Sequence, residues 1–261
     1  IVGGEVGLVI ALIFALGLNF FAYWNSDRIA LAMTHSRQVS EQEDPELYRI
    51  VAEQASLAGL PMPKVFEIET DALNAFATGR NPQHAAVAVT TGIRRVLSRE
   101  ELGAVLAHEM AHVGNRDTLI MTVVATIAGA ISMLALMAQF AAIFGGMGGD
   151  RDRGGGNFIG LLIVAIVMPI AATIIRLAIS RAREFQADAT GARTSGNPYA
   201  LASALEKLER GAEVRPMKVA EAASHLFIVN PLSGQSMSRL FSTHPPVAER
   251  VQRLRNMRPN Y

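Results

Sequence analysis

Residues 98 to 114 read SREELGAVLAHEMAHVG, and this stretch carries the signals of a single buried helix. Ser98 with Glu101 three positions later is a capping-box pattern, which satisfies backbone N–H groups at the start of a helix. Gly114 is the predicted C-terminal cap, since glycine readily adopts the left-handed conformation that ends many helices. The apolar residues that recur at helical spacing between these ends are Leu102, Val105 and Leu106. We therefore predict a helix from about Ser98 to Gly114, with an apolar face in the protein interior.

The second half of this helix contains the pattern His108-Glu109-Met110-Ala111-His112. Two histidines four residues apart project from one helix face, so both imidazoles can bind a single metal ion. Glu109 can then face the open coordination position. Incidental histidines on an exposed helix are the alternative, but the apolar residues of this helix indicate burial, where unpaired His and Glu are costly. The pattern predicts a catalytic metal site at His108 and His112.

A catalytic zinc ion normally takes three protein ligands and keeps a fourth position for water. The chain has no cysteine, so the third ligand must be His, Glu or Asp, and the position where metzincins supply a histidine holds Thr118. The other candidate lies in residues 180–188, where Glu184 and Asp188 are four apart and point the same way on a helix. Glu184 as ligand, with Asp188 accepting a hydrogen bond from a ligating His, is one interpretation. A solvated helix face with ordinary ion pairs is the other.

The composition indicates a membrane protein. The chain of 261 residues is half apolar and only 18% charged, whereas soluble domains usually carry about a quarter charged residues. Its net charge of +1 excludes a strongly electrostatic nucleic-acid binder, and its apolar content excludes intrinsic disorder. Uncharged residues form three runs of 21, 32 and 22 residues, at 6–26, 118–149 and 154–175. About 20 apolar residues cross a membrane, so we predict three transmembrane helices in the lipid bilayer.

These runs divide the chain into four segments. Three buried core helices of a soluble protein are the alternative, but they would need more surrounding protein than the chain has. Two membrane crossings separate His112 from Glu184, so both residues return to the same side, which favours Glu184 as the third ligand. The predicted segments are a transmembrane segment at 1–26, a first polar part at 27–117, a transmembrane hairpin at 118–179 with a Gly-rich loop at 145–157, and a second polar part at 180–261.

The polar parts predict a fold that is mainly α with a small β-sheet, an α+β class. Apolar residues at helical spacing predict further helices at 44–59, 200–210 and 247–257. Turn residues bound three short segments that predict a small antiparallel sheet, at 64–70, 74–79 and 85–92.

The distribution of charge predicts the orientation in the membrane. Residues 180–261 carry twelve basic and seven acidic residues, whereas the charges of the loop at 145–157 cancel. Because basic segments favour the cytoplasmic side, the second polar part and the site it contributes to are expected to face the cytoplasm.

Together these stretches resemble the HtpX family of membrane-bound zinc metalloproteases, which is related to the CAAX prenyl endopeptidases. The matching stretches beyond HEMAH are NAFATG at 74–79, REFQADATGA at 183–192 and STHPPVAERVQRL at 242–254, so the resemblance covers nearly the whole chain. It implies an integral-membrane gluzincin fold in the bacterial inner (plasma) membrane and a stress-response role in degrading misfolded membrane proteins. Family members carry two hydrophobic segments before the soluble part and this chain shows one, so we expect a further transmembrane helix upstream of Ile1.

The same resemblance implies roles for individual residues. It implies one zinc ion per chain, bound by His108, His112 and Glu184, with Glu109 as the general base. By ligand type alone, manganese or iron would use similar residues.

Two further site assignments come from the resemblance. His244 resembles the family position proposed to stabilise the oxyanion, with Arg250 nearby on the following helix. A helix-start residue before two prolines is the alternative for His244. Residues 74–78 resemble the edge strand against which gluzincins lay their substrate, and a plain structural hairpin is the alternative. The predicted substrate-binding residues are Asn74, Ala75, Phe76 and Ala77.

Two rival functions are compatible with the metal motif. A processing protease for lipidated or prenylated peptides usually has more membrane helices, which enclose a chamber. The three or four helices expected here are too few for such a chamber. A catalytically idle membrane scaffold has no need of Glu109 beside two metal ligands. We therefore predict a membrane-integrated zinc endopeptidase that hydrolyses peptide bonds of misfolded or damaged membrane proteins.

Overall fold

The structure is a computed structural model that describes residues 5–145, 155–214, 228 and 244–258. The chain divides into two compact units, one formed by Ile1–Phe21 and Ile120–Ile179 and the other by Ala22–Leu119 and Ser180–Tyr261. The helices are α1 Glu5–Trp24, α2 Ser26–Met33, α3 Pro45–Leu57, α4 Thr91–Val96, α5 Arg99–Gly114, α6 Asp117–Gly145, α7 Gly155–Ser195, α8 Pro198–Val214 and α9 Val247–Arg255. The strands are β1 Arg37–Gln38, β2 Lys64–Ile68, β3 Ala75–Thr78 and β4 Ala86–Thr90. The predicted fold class, mainly α with a small sheet, is confirmed.

Among the described residues, two helices are long and apolar enough to cross a membrane, within Asp117–Met137 of α6 and Ile163–Ser195 of α7. Their large apolar side chains are exposed, as Ile127 in α6 and Ile174 in α7 illustrate. Exposed apolar surface of this kind suits contact with lipid. The third predicted span corresponds to a shorter apolar helix, Ile13–Trp24 in α1, and its crossing of the membrane stays a prediction.

Helix α7 links the second candidate span directly to the second polar part. It continues without interruption for 41 residues, with Pro169 inside the apolar half and Glu184 and Asp188 in the polar half. The helix predicted to carry Glu184 and Asp188 is therefore confirmed. Of the loop predicted at 145–157, residue 145 ends α6 and residues 155–157 begin α7, which corrects its bounds; residues 146–154 lie outside the described part of the chain.

The small sheet has the strand order β1-β2-β4-β3. Strands β2 and β4 pair in parallel, whereas β1 with β2 and β3 with β4 pair antiparallel. The prediction of an antiparallel sheet was therefore wrong for the central pair. After β2 the chain forms β3 at the edge of the sheet and then inserts β4 between β2 and β3. Because β3 lies between β2 and β4 in the sequence and runs opposite to both, β2 and β4 run in the same direction. Strand β1 was not predicted, since two residues show no alternation.

Helix α5 lies in the centre of the second unit, and all its residues from Glu101 to Ala111 are buried. The predicted capping box is present: the Ser98 side chain accepts the N–H of Glu101, and the Glu101 carboxylate accepts the N–H of Ser98. The predicted cap at Gly114 was wrong by one residue. The helix runs through Gly114 to a cap at Asn115, because the left-handed turn into α6 falls at Arg116, whose φ is 56°.

The remaining helical predictions are confirmed. Residues 44–59 contain α3, which Asp44 caps by accepting the N–H of Leu47. Helix α8 contains the predicted stretch 200–210, and α9 forms most of 247–257. The core that surrounds α5 is drawn from α3, α8, α9 and the sheet, with fully buried residues such as Leu47, Val87, Leu205 and Leu254.

Candidate metal centre and active site

The three predicted metal ligands lie together at the junction of α5 and α7. His108 and His112 lie one turn apart on α5, and their Nε2 atoms are 3.1 Å apart. The carboxylate of Glu184, from α7, has one oxygen 3.8 Å from His108 Nε2 and the other 3.6 Å from His112 Nε2. The structure therefore brings together residues that are separated by two long apolar helices in the sequence.

The spacing of these atoms fits a metal ion. Ligand atoms that are each about 2.0–2.1 Å from a tetrahedral zinc ion lie about 3.3 Å from one another. The two Nε2 atoms are 3.1 Å apart, close to this value, and one ligand atom from each of the three residues lies within 4.8 Å of the others. Glu184 is buried, so its carboxylate needs positive partners, and a metal ion would be one of them beside His244 and Arg250.

The hydrogen bonding of the imidazoles also favours a cation. Each Nδ1 faces a carboxylate, at 3.0 Å from Asp188 for His108 and at 2.6 Å from Asp117 for His112. A neutral imidazole that donates its Nδ1–H to a carboxylate has a lone pair on Nε2. The two lone pairs then point at the same space, where a positive ion between them would relieve their repulsion.

Asp188 lies behind His108, as the sequence predicted. It is buried, and Arg250 donates to it from Nε at 2.8 Å and from Nη2 at 2.7 Å. Burial alone would lower the pKa of Arg250, but the carboxylates of Asp188 and Glu184 raise that pKa above its usual range. Arg250 therefore stays charged and holds Asp188 in place for His108.

Two residues of this site were missed at the sequence level. Asp117, beside His112, directly precedes the uncharged run at 118–149 and belongs to no motif in the sequence. Gly191 allows α7 to approach α5 closely, because a Cβ at this position would lie 2.7 Å from the backbone N and Cα of His108. The signal was present in the sequence as a glycine three residues after Asp188, on the same side of the helix.

Glu109 is buried beside the ligands, with 5% of its surface exposed. Its Oε2 accepts the backbone N–H of Ala77, on β3, at 2.8 Å. Burial raises the pKa of the Glu109 carboxyl above its usual value, although His108 and His112 act in the opposite direction. A carboxylate of raised pKa next to a metal site is suited to accept a proton.

The strand predicted to bind substrate lies at the edge of the sheet, with Ala77 next to Glu109. The side chains of Ala75 and Phe76 are buried in the protein core. The amide of Asn74 is also buried, and its Oδ1 accepts the backbone N–H of Ile228 at 3.3 Å. Among the predicted residues, Ala77 therefore approaches the site most directly, and it does so through its backbone.

His244 and Arg250 both lie against Glu184. Nδ1 of His244 is 3.2 Å from Glu184 Oε2, and Nη1 of Arg250 is 3.4 Å from the same oxygen. The N-cap position of α9 is Pro246, so His244 does not cap this helix. The structure thus places both residues at the ligand cluster, although the sequence separates them from it by more than fifty positions.

The amino-acid sequence has many relatives. Residues 41–258 match peptidase family M48. A protein named Protease HtpX homolog from Desulfatibacillum aliphaticivorans is 55% identical over 259 residues, which cover 99% of this chain and 84% of that protein. Another of the same name, from Pyrococcus furiosus, is 52% identical over 98% of this chain and 89% of its own length.

The fold is also similar to a solved structure. The crystal structure of S. mikatae Ste24p matches 95% of this chain with a TM-score of 0.65 and 20% sequence identity. The chain spans 58% of that protein's length, and the likeness concerns the fold. The sequence matches agree with the apolar helices and the His-His-Glu cluster described above. The chain therefore belongs to peptidase family M48, as a member of its HtpX group of membrane metalloproteases.

Proposed function

We propose that the chain is a zinc-dependent endopeptidase that hydrolyses peptide bonds of misfolded or damaged membrane proteins. The observation that carries this proposal is the convergence of His108, His112 and Glu184 within 4.8 Å, with Glu109 adjacent on α5. Two imidazoles and a carboxylate are the ligand types of catalytic zinc, and they leave a fourth position for water. A zinc ion bound there would polarise the scissile carbonyl and lower the pKa of the attacking water.

Glu109 acts as the general base in this proposal. Its carboxylate takes the proton from the attacking water and passes it to the nitrogen of the leaving amine. The hydrogen bond from Ala77 restrains the rotation of the side chain, so the base is held in position before substrate binds. Burial keeps bulk water away from the carboxylate that accepts the proton.

His244 and Arg250 receive different roles. The His244 side chain is 12% exposed and next to Glu184, so it can donate a hydrogen bond to the oxyanion that forms on the substrate carbonyl. The Arg250 side chain is only 1% exposed, and its three nitrogens donate to Asp188 and to the carbonyl of Ile228. We therefore assign Arg250 to positioning and keep the oxyanion role for His244.

Substrate recognition at β3 would use the backbone. A peptide that adds a strand along Asn74–Ala77 would be held by main-chain hydrogen bonds, which tolerate many side chains. Broad sequence preference suits an enzyme for damaged proteins, whose exposed segments share no sequence. The net positive charge of residues 180–261 supports a cytoplasmic orientation of this site in the plasma membrane.

The test compares the purified wild type with Glu109→Gln, using casein as substrate in the presence of zinc. We expect zinc-dependent cleavage in the wild type, its loss with a chelator, and its loss in the variant while zinc stays bound. Glu100→Gln is the matched control, since Glu100 is an exposed residue of the same helix, and it should cleave normally. Unchanged cleavage by Glu109→Gln would refute the assignment. Turnover of a prenylated peptide without cleavage of any protein would favour the processing enzyme instead.

A further inference from the structure

We propose that Asp117 and Arg183 form a positioning pair that orients His112 for metal binding, as Asp188 and Arg250 do for His108. The inference rests on the proposed metal site and extends it to two residues that carry no ligand atom. Both residues belong to the same compact unit as the ligands.

The contact with His112 is close and partly buried. Oδ2 of Asp117 lies 2.6 Å from Nδ1 of His112, and the Asp117 side chain is 9% exposed. A carboxylate at this distance fixes which nitrogen of the imidazole carries the proton and leaves the other free to bind the metal.

Arg183 holds Asp117 from the opposite helix. Its guanidinium donates through Nη2 to Asp117 Oδ1, and the same nitrogen lies 3.3 Å from the carbonyl oxygen of Asn115. Nη1 donates to Gln186 at 2.8 Å, so both terminal nitrogens of the guanidinium are hydrogen-bonded. Arg183 directly precedes Glu184 in α7, so this pair ties the end of α5 to the third ligand.

The two halves of the site are thus built alike. Each imidazole has its own carboxylate on Nδ1, and each carboxylate is paired with its own arginine, Arg250 on one side and Arg183 on the other. An ordinary ion pair at the start of a helix would need no contact with His112. The repetition of the same arrangement around both ligands is what favours a positioning role.

The experiment measures zinc affinity of the purified full-length chain by competition with a chromophoric chelator. Asp117→Ala should weaken zinc binding about 10–100-fold, the usual effect of removing a carboxylate behind a ligating histidine. Asp117→Asn should have a smaller effect, because its amide oxygen can still accept the Nδ1–H. The control is Glu53→Gln, which breaks an exposed ion pair with Arg99 of α5 and should change affinity less than about twofold.

A double-mutant cycle separates positioning from general stability. Arg183→Met should weaken zinc binding in the wild-type background but add little to Asp117→Ala, because Arg183 acts through Asp117. The double variant also removes both charges together, so it leaves no lone charge that could prevent folding. Wild-type zinc affinity in Asp117→Ala, or equal effects of Arg183→Met in both backgrounds, would overturn the proposal.

Failure of the positioning pair can be told apart from failure of the proposed endopeptidase function. If the wild type binds zinc but cleaves no protein, the endopeptidase assignment fails, and weakened zinc binding in Asp117→Ala would still support the positioning pair. If the wild type cleaves casein and Asp117→Ala binds zinc normally, the positioning pair alone is refuted.

Discussion

At the scale of single residues, the site is a set of buried charges that stabilise one another. Arg250, Asp188 and Glu184 are all nearly inaccessible to solvent, and Arg250 contacts both carboxylates. Removing one partner of a buried pair leaves the other charge without compensation, which costs far more than losing an exposed pair. Residues next to the ligands therefore contribute to folding as well as to the metal site.

The first prediction concerns Asp188→Ala. We expect it to lower the free energy of unfolding by up to about 3–5 kcal/mol, because the buried Arg250 loses its two hydrogen bonds to Asp188 and keeps only Glu184 as a carboxylate partner. Thermal unfolding of the metal-free protein measures this loss. The control is Glu249→Gln, which breaks the exposed pair with Arg253 and should leave the unfolding temperature almost unchanged. Similar unfolding temperatures for Asp188→Ala and the control would contradict the structural role.

At the scale of elements, the site depends on how closely α7 packs on α5. The contact at Gly191 leaves no room for a side chain, because its Cβ would meet the backbone of His108 at 2.7 Å. The other end of α5 is fixed to α8, since the Glu101 carboxylate accepts hydrogen bonds from Ser203 Oγ and Lys207 Nζ, both at 2.7 Å. Contacts at these two ends hold the helix that carries His108, Glu109 and His112.

Gly191→Val is predicted to separate α7 from α5 and to abolish zinc binding, because Glu184 would move away from the two histidines. Zinc content of the purified variant is the measurement. The control is Gly129→Ala in α6, where a Cβ meets nothing within 4 Å and alanine favours the helix. A Gly191→Val protein that binds zinc like the wild type would show that the close approach is dispensable.

The Glu101 contacts predict a dependence of stability on pH. Burial would raise the pKa of Glu101, but hydrogen bonds from Lys207, from the N–H of Ser98 and from Ser203 lower it below 4.5. A carboxyl whose pKa is lowered by folding contributes stability above its unfolded pKa, and this contribution is lost as the pH falls through the folded pKa.

Glu101→Gln should therefore lower the unfolding temperature at about pH 7 and have a much smaller effect near pH 3, where the wild-type carboxyl is also becoming protonated. Thermal unfolding at both pH values measures the difference. A difference between variant and wild type that stays constant with pH would mean that the charge of Glu101 contributes nothing.

At the scale of the whole molecule, the clustering of the candidate ligands could be predicted in part from the sequence, because helix geometry fixes the direction of residues four apart. That rule holds for His108 with His112, and for Glu184 with Asp188. Asp117 and Gly191 escaped prediction because their roles come from contacts between segments distant in the sequence. The parallel pairing of β2 and β4 was not predicted for a similar reason. The alternation of apolar and polar residues indicates a strand but does not show which strand pairs with it.

Membrane topology gives a prediction for the whole chain. If α6 and α7 both cross the membrane and the site faces the cytoplasm, the segment between them lies on the outer side. A protease site inserted next to Asp152 should then be cleaved by protease added to intact cells or spheroplasts. The same site added after Tyr261 should be protected, as the control. Protection at Asp152 together with cleavage at Tyr261 would invert the proposed orientation.

The central claim is that His108, His112 and Glu184 bind one catalytic zinc ion with Glu109 as the base. Elemental analysis of the purified chain tests this most directly, when wild type, Glu109→Gln and Glu184→Gln are compared. We expect about one zinc per chain in the wild type and in Glu109→Gln, and almost none in Glu184→Gln, because a catalytic zinc site needs its third protein ligand. Full zinc content in Glu184→Gln, or a wild type that takes up no metal, would contradict the claim.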